Sequence, residues 1–453
     1  MGAKHSTAQQ RDTKTREEPP VVAVRGGRRR KTGREDTKNK RRRGRGRELT
    51  GGRVKPAFLV GVGVAAAALA LGAALARSKS TTAPPSSGDY RDGDEASGST
   101  VVGVGSSGCV FRPALRCDGD DSAPSGHVTK VGTLENSARE WAQVEALKKK
   151  IKTIHTWEQY FILPDRLCKP VLNTRNFREH CPNIYTASPD NLRALQVPDG
   201  GGTISNFSTS TVEFLPFWNA MKTLLRDGIV PMNNLGIIHR DIKLNNVVYD
   251  SSTKIARLID WDRTVNVEGF DPCKNNFDPT FGLMINLPFA YGFFSAEVQN
   301  LPRNELSSLG KVAENLVKEN QENQILFPLV CFYYARSGTT TDDTTLGADF
   351  AVNARTQVDK IYDMFVSDGT FKNADYLHLL RTNYDVYGWL TTMVYCFLVF
   401  EQYFSDHAEF TFYMAPGVKN VLYKYLYNPE YVCAKYNVEA ILSELDKHVK
   451  KAL

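Results

Sequence analysis

The sequence predicts an α+β fold of about 350 residues behind a long basic tail. The chain has 453 residues, of which 42% are hydrophobic and 10% aromatic, which is ordinary for a folded protein. Residues 100–132 contain short runs of β-branched residues separated by glycines, which predict strands. Residues 134–152 carry apolar residues at helical spacing, which predict a helix. We therefore expect a folded body from residue 100 to the C-terminus and disorder only at the front.

The N-terminal tail carries the positive charge of the chain. Residues 1–55 hold 19 Lys and Arg and 6 acidic residues, so the tail has a net charge of +13 and the remainder −6. Residues 25–47 contain almost no apolar side chains and are predicted to be disordered. This asymmetry favours an anionic partner, either lipid headgroups or nucleic acid, although a merely solvated leader is the alternative. A protein that acts chiefly as a nucleic-acid binder is therefore one rival interpretation.

Residues 56–76 predict a transmembrane helix. This segment has 21 residues without a charge, between Lys55 and Arg77. A helix of that length spans about 30 Å, the thickness of a bilayer core, although its many alanines also fit a buried helix. The basic residues before it predict a single-pass protein with a cytoplasmic N-terminus, where Gly2 matches an acylation pattern. The body would then lie across the membrane, behind a flexible linker over residues 77–99.

The cysteines indicate no metal site. None of the eight forms a CxxC pair or has the spacing of a zinc finger. At this low density we expect reduced thiols, with Cys168–Cys181 as the conceivable disulfide.

The most informative stretch is residues 237–249, IIHRDIKLNNVVY, in which two apolar segments flank a polar loop. Asp241 is followed by Lys243 two residues later and by Asn246 five residues later. Asp260 follows another apolar segment, fourteen residues beyond Asn246. This arrangement resembles the catalytic loop and the metal-binding acid of protein kinases.

The resemblance implies a role for each of these side chains. Asp241 would accept the proton of the substrate hydroxyl, and Lys243, which matches the Ser/Thr kinases, would neutralise charge on the γ-phosphate. Asn246 and Asp260 would hold magnesium ions. Trp261 and Asp262 stand where the family has Phe and Gly, which keeps the metal-binding acid but removes a flexible hinge.

Upstream, VVGVGSSGCVF resembles the glycine-rich loop that covers the phosphates of ATP. The resemblance assigns Gly103, Gly105 and Gly108 to that loop and Val110 to the adenine. A lone GxGxxG pattern is weak, but here it precedes a candidate strand, HVTKV, whose Lys130 would bind the α- and β-phosphates.

Lys130 requires an acidic partner on the helix over residues 134–152. Glu140 and Glu145 compete, and we expect Glu140, because an apolar stripe at helical spacing lies beside it. The hinge that would meet adenine is predicted at residues 195–202. Downstream, NYDVYGWL resembles the start of the family's central helix and would make Asp385 a buried acid that braces the catalytic loop.

Taken together, GCVFRPALRC, IIHRDIKLNN and INLPF resemble the divergent Ser/Thr kinases of large nucleocytoplasmic DNA viruses, over about residues 100–450. The resemblance implies a two-lobed kinase fold, with a small β-rich lobe at 100–198 and a larger helical lobe at 199–453. It also implies ATP and Mg²⁺ in the cleft and protein hydroxyls as substrates. The membrane predicted from residues 56–76, on which the resemblance has no bearing, would be a host or virion membrane.

Two rivals keep the fold but change the activity. A catalytically impaired pseudokinase scaffold is one, because Asp262 replaces the usual glycine and the family's APE motif is absent, with NLPF at residues 286–289 in its place. A small-molecule kinase of related fold is the other, for which Arg240 and Lys243 are atypical.

Overall fold

The computed structural model describes residues 99–105, 108–172, 181, 184, 187–206, 213–268, 346–368, 370–403 and 414–449. They form a mixed α+β structure, as the sequence predicts. The basic tail, the apolar segment 56–76, the linker up to residue 98 and the NLPF motif lie outside these residues. None of the described helices is long and apolar enough to cross a membrane.

The N-terminal part is an antiparallel sheet of five strands in the order β1-β2-β3-β5-β4. The strands are β1 (Thr100–Gly105), β2 (Gly108–Arg112), β3 (His127–Thr133), β4 (Arg166–Cys168) and β5 (Leu192–Pro198). Helix α1 (Leu134–Ile151) packs against β3 and β5. Its N-cap is Thr133, whose side chain accepts a hydrogen bond from the Asn136 amide, which satisfies one of the free N–H groups of the first turn.

The chain leaves this sheet in the stretch that the sequence assigns to the hinge. Arg112 of β2 holds this stretch by donating to the Asp199 carboxylate at 2.6 Å and to the Gly201 carbonyl at 2.8 Å. Gly201 has φ +93°, a left-handed conformation that favours glycine. Strand β6 (Gly202–Thr203) then pairs with β8 (Val247–Asp250), and β8 pairs with β9 (Ile255–Leu258).

The C-terminal part is mainly helical. A π-helical turn (Leu224–Ile229) joins α2 to α3, and small strand pairs join β7 (Ile237–Ile238) to β10 (Val265–Asn266) and β11 (Val366–Ser367) to β12 (Thr370–Phe371). The helices are α2 (Phe214–Thr223), α3 (Val230–Asn234), α4 (Leu346–Phe365), α5 (Asn373–Tyr403), α6 (Ala415–Tyr427), α7 (Pro429–Val432) and α8 (Val438–Val449). Trp218 and Trp389 are fully buried in their shared core.

Four cysteines form disulfides, and this corrects the expectation of reduced thiols. Cys109 pairs with Cys181, and Cys117 pairs with Cys168, so the pairing considered from the sequence, Cys168–Cys181, is wrong. Cys117 lies beside β4 because its segment forms a bridge with Pro170. Neighbourhoods of this kind depend on how the strands are ordered in the sheet, which cysteine spacing does not encode.

Candidate active site

Lys130 connects the sheet, helix α1 and the segment after β9. Its Nζ lies 2.8 Å from the Glu140 carboxylate and 2.6 Å from the Asp260 carboxylate. Glu140 is buried on the inner face of α1, whereas Glu145 is exposed and pairs with Lys148. Of the two acids that the sequence left in competition, Glu140 is therefore the partner of Lys130.

Lys130 and Asp260 stabilise each other's charged form. Burial by itself lowers the pKa of Lys130, but Glu140 and Asp260 outweigh burial, so that pKa lies above its usual value. Burial likewise raises the pKa of Asp260, and the adjacent Lys130 reverses the effect and holds it below its usual value. We therefore treat Lys130 and Asp260 as a charged pair at neutral pH.

The polar loop before β8 is fixed from helix α5. The Asp385 carboxylate accepts hydrogen bonds from the backbone amides of His239 and Arg240, at 2.8 and 2.9 Å, and from the Asn233 side chain at 2.7 Å. Arg240 has φ +66°, an uncommon backbone conformation for a residue other than glycine. The buried carboxylate therefore stabilises a loop conformation that costs free energy by itself. Asp385 lies within α5, which begins at Asn373, rather than at the start of that helix.

Asp241 and Asn246 meet at the end of this loop. Asn246 Nδ2 donates to the Asp241 backbone carbonyl and to its carboxylate, both at 2.9 Å. Lys243 Nζ donates to the same carboxylate oxygen at 2.8 Å. Both Asp241 and Asn246 are buried, and Lys243 is partly exposed. The amide oxygen of Asn246 is then the atom that can bind a cation.

Asp260 is followed by a tryptophan that is anchored in the core. Trp261 is 1% exposed, and its indole N–H donates to the Ile162 carbonyl at 2.8 Å. Its ring makes edge contacts with Phe161 and His239, with centroids 5.5 and 5.0 Å apart. Asp260 itself has φ +68°. The position that the sequence identified as a departure from the family pattern is thus held by a hydrogen bond that phenylalanine cannot make.

Three carboxylates lie close together and fit a divalent cation. Ligand oxygens of Asp241, Asp260 and Asp262 lie within 4.8 Å of one another. One carboxylate oxygen of Asp262 is buried and has no hydrogen-bond partner, and burial, followed by Asp260, raises the pKa of Asp262. Hard oxygen donors of this kind are the ligands that Mg²⁺ prefers. Asp262 was not among the sequence-predicted metal ligands; the only signal was an acid where the family has glycine.

The glycine-rich hairpin is formed by β1 and β2, next to the strand that carries Lys130. Gly105 pairs with Gly108 and Gly103 with Val110, and Val110 is in register with Lys130 on β3. A Cβ on Gly108 would overlap the backbone carbonyl of Val131, so only glycine fits there. The tip of the hairpin, residues 106 and 107, lies outside the described residues.

Comparison with known proteins adds no family to this site. No protein-family model matches the chain, and a search of curated proteins finds no match. The resemblance to protein kinases therefore depends on the motifs and on the geometry described above.

Proposed function

We propose that this protein is a Ser/Thr protein kinase that transfers the γ-phosphate of ATP to protein hydroxyls. The observation that carries the proposal is the contact of Lys130 with both Glu140 and Asp260, beside the Asp241–Asn246 pair. These residues come from a strand, a helix and two loops that are far apart in the chain. In protein kinases, residues of these types in this order bind the phosphates, hold the metal and orient the hydroxyl.

Lys130 and the glycine-rich hairpin form the part of the site that would bind the phosphates of ATP. The Lys130 side chain is 17% exposed and is oriented by Glu140, so it is positioned to bind the α- and β-phosphates without first being ordered. The glycines of the hairpin allow the backbone to approach phosphate closely, and Val110 would cover the adenine. Gly103, Val110 and Lys130 are paired across neighbouring strands, so the binding of ATP would require little rearrangement of these strands.

The anionic side supplies the proton acceptor and the metal ligands. Asp241 would orient the substrate hydroxyl and take its proton, with Lys243 close enough to neutralise the transferring phosphate. Asp260 and Asn246 would hold Mg²⁺, and Asp262 offers a third carboxylate. When bound, Mg²⁺ neutralises charge on the phosphate oxygens. A catalytically impaired scaffold would not need Lys130, Asp241, Asn246 and Asp260 to remain together.

A phosphate-transfer assay with two matched Asp→Asn variants tests the proposal. The full chain is incubated with γ-labelled ATP and Mg²⁺ and with an acidic or a basic protein, and the labelled residues are identified. Asp241→Asn should lose activity by about 10²–10⁴-fold while its circular dichroism is unchanged. Asp250→Asn should retain activity, because Asp250 bonds only locally, to Ser252 and Thr253 in the turn after β8.

Two results would contradict the proposal. Equal labelling by wild-type protein and Asp241→Asn would remove Asp241 from the chemistry. Phosphotyrosine as the main product would exclude the Ser/Thr class.

A further inference from the structure

The two disulfides join the glycine-rich side of the sheet to β4 and to the connection that follows it, residues 169–191. Cys109 lies on β2 directly after Gly108, and Cys117 lies five residues beyond the end of β2. Their partners are Cys181 within the connection and Cys168 at the end of β4. The Cα atoms are 5.9 and 5.8 Å apart, so each pair lies within ordinary disulfide reach.

The Cys109–Cys181 disulfide closes the small apolar core beneath the nucleotide-binding hairpin. Both cysteines are fully buried in a cluster that we call the hairpin core. Its other members are Phe111, Leu115, Val131, Ile184 and Leu192. Among the described residues, the connection that brings Cys181 and Ile184 here forms one 3₁₀ turn (Pro189–Asn191) and one bridge, Cys117–Pro170. The Cys109–Cys181 disulfide joins this connection covalently to the strand that follows the glycine-rich turn.

The free thiols of the described residues lie elsewhere. Cys396 and Cys433 are buried in the helical part, away from the hairpin core. Burial raises the pKa of Cys433 to about 12 and that of Cys396 above its usual value. Thiols of this kind are poor nucleophiles and poor partners for exchange. Disulfide chemistry, within the part of the chain that the structure describes, is confined to the sheet that carries the glycine-rich hairpin.

We propose that the two disulfides brace the glycine-rich hairpin and that nucleotide binding depends on them. A kinase that needs these disulfides belongs, with its protein substrates, to an oxidising compartment. The nucleotide part rests on the proposed function. Each bond forms when two thiols lose two protons and two electrons to a disulfide-carrying oxidant, as in secretory compartments. Cytosolic proteins are kept reduced, so two buried disulfides disfavour that location. The charge pattern around residues 56–76 independently predicts that the body lies across the membrane from the cytoplasm.

Bond mapping and reduction test the proposal with the full chain. The protein is purified without reductant, alkylated after denaturation and analysed by mass spectrometry; Cys109, Cys117, Cys168 and Cys181 should be protected. The closed loops span 72 and 51 residues, so dithiothreitol should lower Tm by about 10 °C. The Kd for a fluorescent ATP analogue should rise by about tenfold because the hairpin core loosens.

Paired variants separate a local effect from general destabilisation. Cys109→Ala with Cys181→Ala should weaken nucleotide binding as reduction does, and dithiothreitol should then have a smaller effect. Cys117→Ala with Cys168→Ala provides a second double variant if the first fails to fold. Cys433→Ala is the matched control, because it removes a buried cysteine outside the sheet; its Kd should stay at the wild-type value and its response to dithiothreitol should remain.

Three outcomes would contradict, in turn, the disulfides and the compartment, the bracing of the hairpin, and the proposed function. Alkylation of all four cysteines, in the purified protein or in acid-quenched cells, would refute the disulfides and the compartment. An unchanged Kd after reduction, with a lowered Tm, would refute the brace. Absence of phosphate transfer in every form, with the disulfides mapped and the Tm shift present, would instead refute the proposed function and leave the disulfides standing.

Discussion

Asp385 accepts hydrogen bonds from the backbone amides of both His239 and Arg240, 146 and 145 residues away in the chain. The carboxylate is fully buried on α5, and Arg240 has a positive φ. A side chain of the helical core thus determines the backbone conformation of the loop that presents Asp241. The position of Asp241, the proton acceptor in the proposed function, therefore depends on a residue that has no part in the proposed chemistry.

Replacement of Asp385 by Asn should damage both stability and activity. The His239 and Arg240 amides donate to different oxygens of Asp385, and asparagine has only one acceptor oxygen, so its NH₂ group would face one of these N–H groups. The buried N–H group that loses its acceptor should lower the free energy of unfolding by about 1–3 kcal/mol. We also expect kcat to fall by about tenfold or more, because the loop shifts. Urea unfolding and steady-state kinetics measure the two effects. Asp375→Asn, an exposed change in the first turn of the same helix, is the control.

Glu140 and Glu145 lie on the same helix, but the same change should affect activity at only the first of them. Glu140→Gln removes the charge that orients Lys130 at 2.8 Å, so kcat/KM for ATP should fall by about tenfold or more. Glu145→Gln breaks only an exposed pair with Lys148, which is worth little, and should leave kcat/KM unchanged. Equal effects of the two variants would mean that the Lys130–Glu140 contact does not contribute to nucleotide binding.

Trp261 provides a test of how the segment after Asp260 is held. Trp261→Phe restores the residue type of the family pattern but leaves the buried Ile162 carbonyl without its donor and opens space beside Phe161. We expect a loss of about 1–3 kcal/mol in the free energy of unfolding. Trp141→Phe on α1 is the matched control, because Trp141 is only partly buried and contacts Lys148 at the surface. If both variants unfold at the wild-type urea concentration, the indole hydrogen bond does not stabilise the segment.

Sequence reasoning predicted the residues whose roles follow from local patterns. Asp241, Asn246 and Asp260 lie within one short stretch of loops and strands, so their spacing alone was enough to predict that they share a site. Glu140 could be preferred over Glu145 because helical periodicity shows which of the two faces the sheet. These inferences required no knowledge of distant contacts.

The features that sequence reasoning missed depend on distant contacts. The disulfide partners follow from strand order in the sheet, which spacing does not reveal. The indole N–H of Trp261 donates to the carbonyl of Ile162, 99 residues away. From the sequence alone, Trp in place of the family's Phe was therefore only a departure from the pattern, and its stabilising hydrogen bond was not predicted. Asp262 likewise gained significance only when its carboxylate was found beside those of Asp241 and Asp260.

Asp262 should affect stability and metal binding with opposite signs. One of its carboxylate oxygens is buried without a hydrogen-bond partner, and burial together with Asp260 raises the pKa of Asp262. Asp262→Asn therefore removes an unfavourably placed charge and should leave Tm unchanged or raise it. The same change takes a carboxylate from three whose oxygens lie within 4.8 Å, so the Kd for Mn²⁺, measured by electron paramagnetic resonance without nucleotide, should rise by about tenfold. Asp262→Gly should behave similarly.

The control is Asp375→Asn, an exposed change in the first turn of α5, which should leave both quantities unchanged. Because the two readouts move in opposite directions, damage to the fold cannot imitate the expected result, since damage would lower Tm and weaken metal binding together. A lowered Tm with unaltered Mn²⁺ binding would show that Asp262 makes a structural contact and is not a ligand.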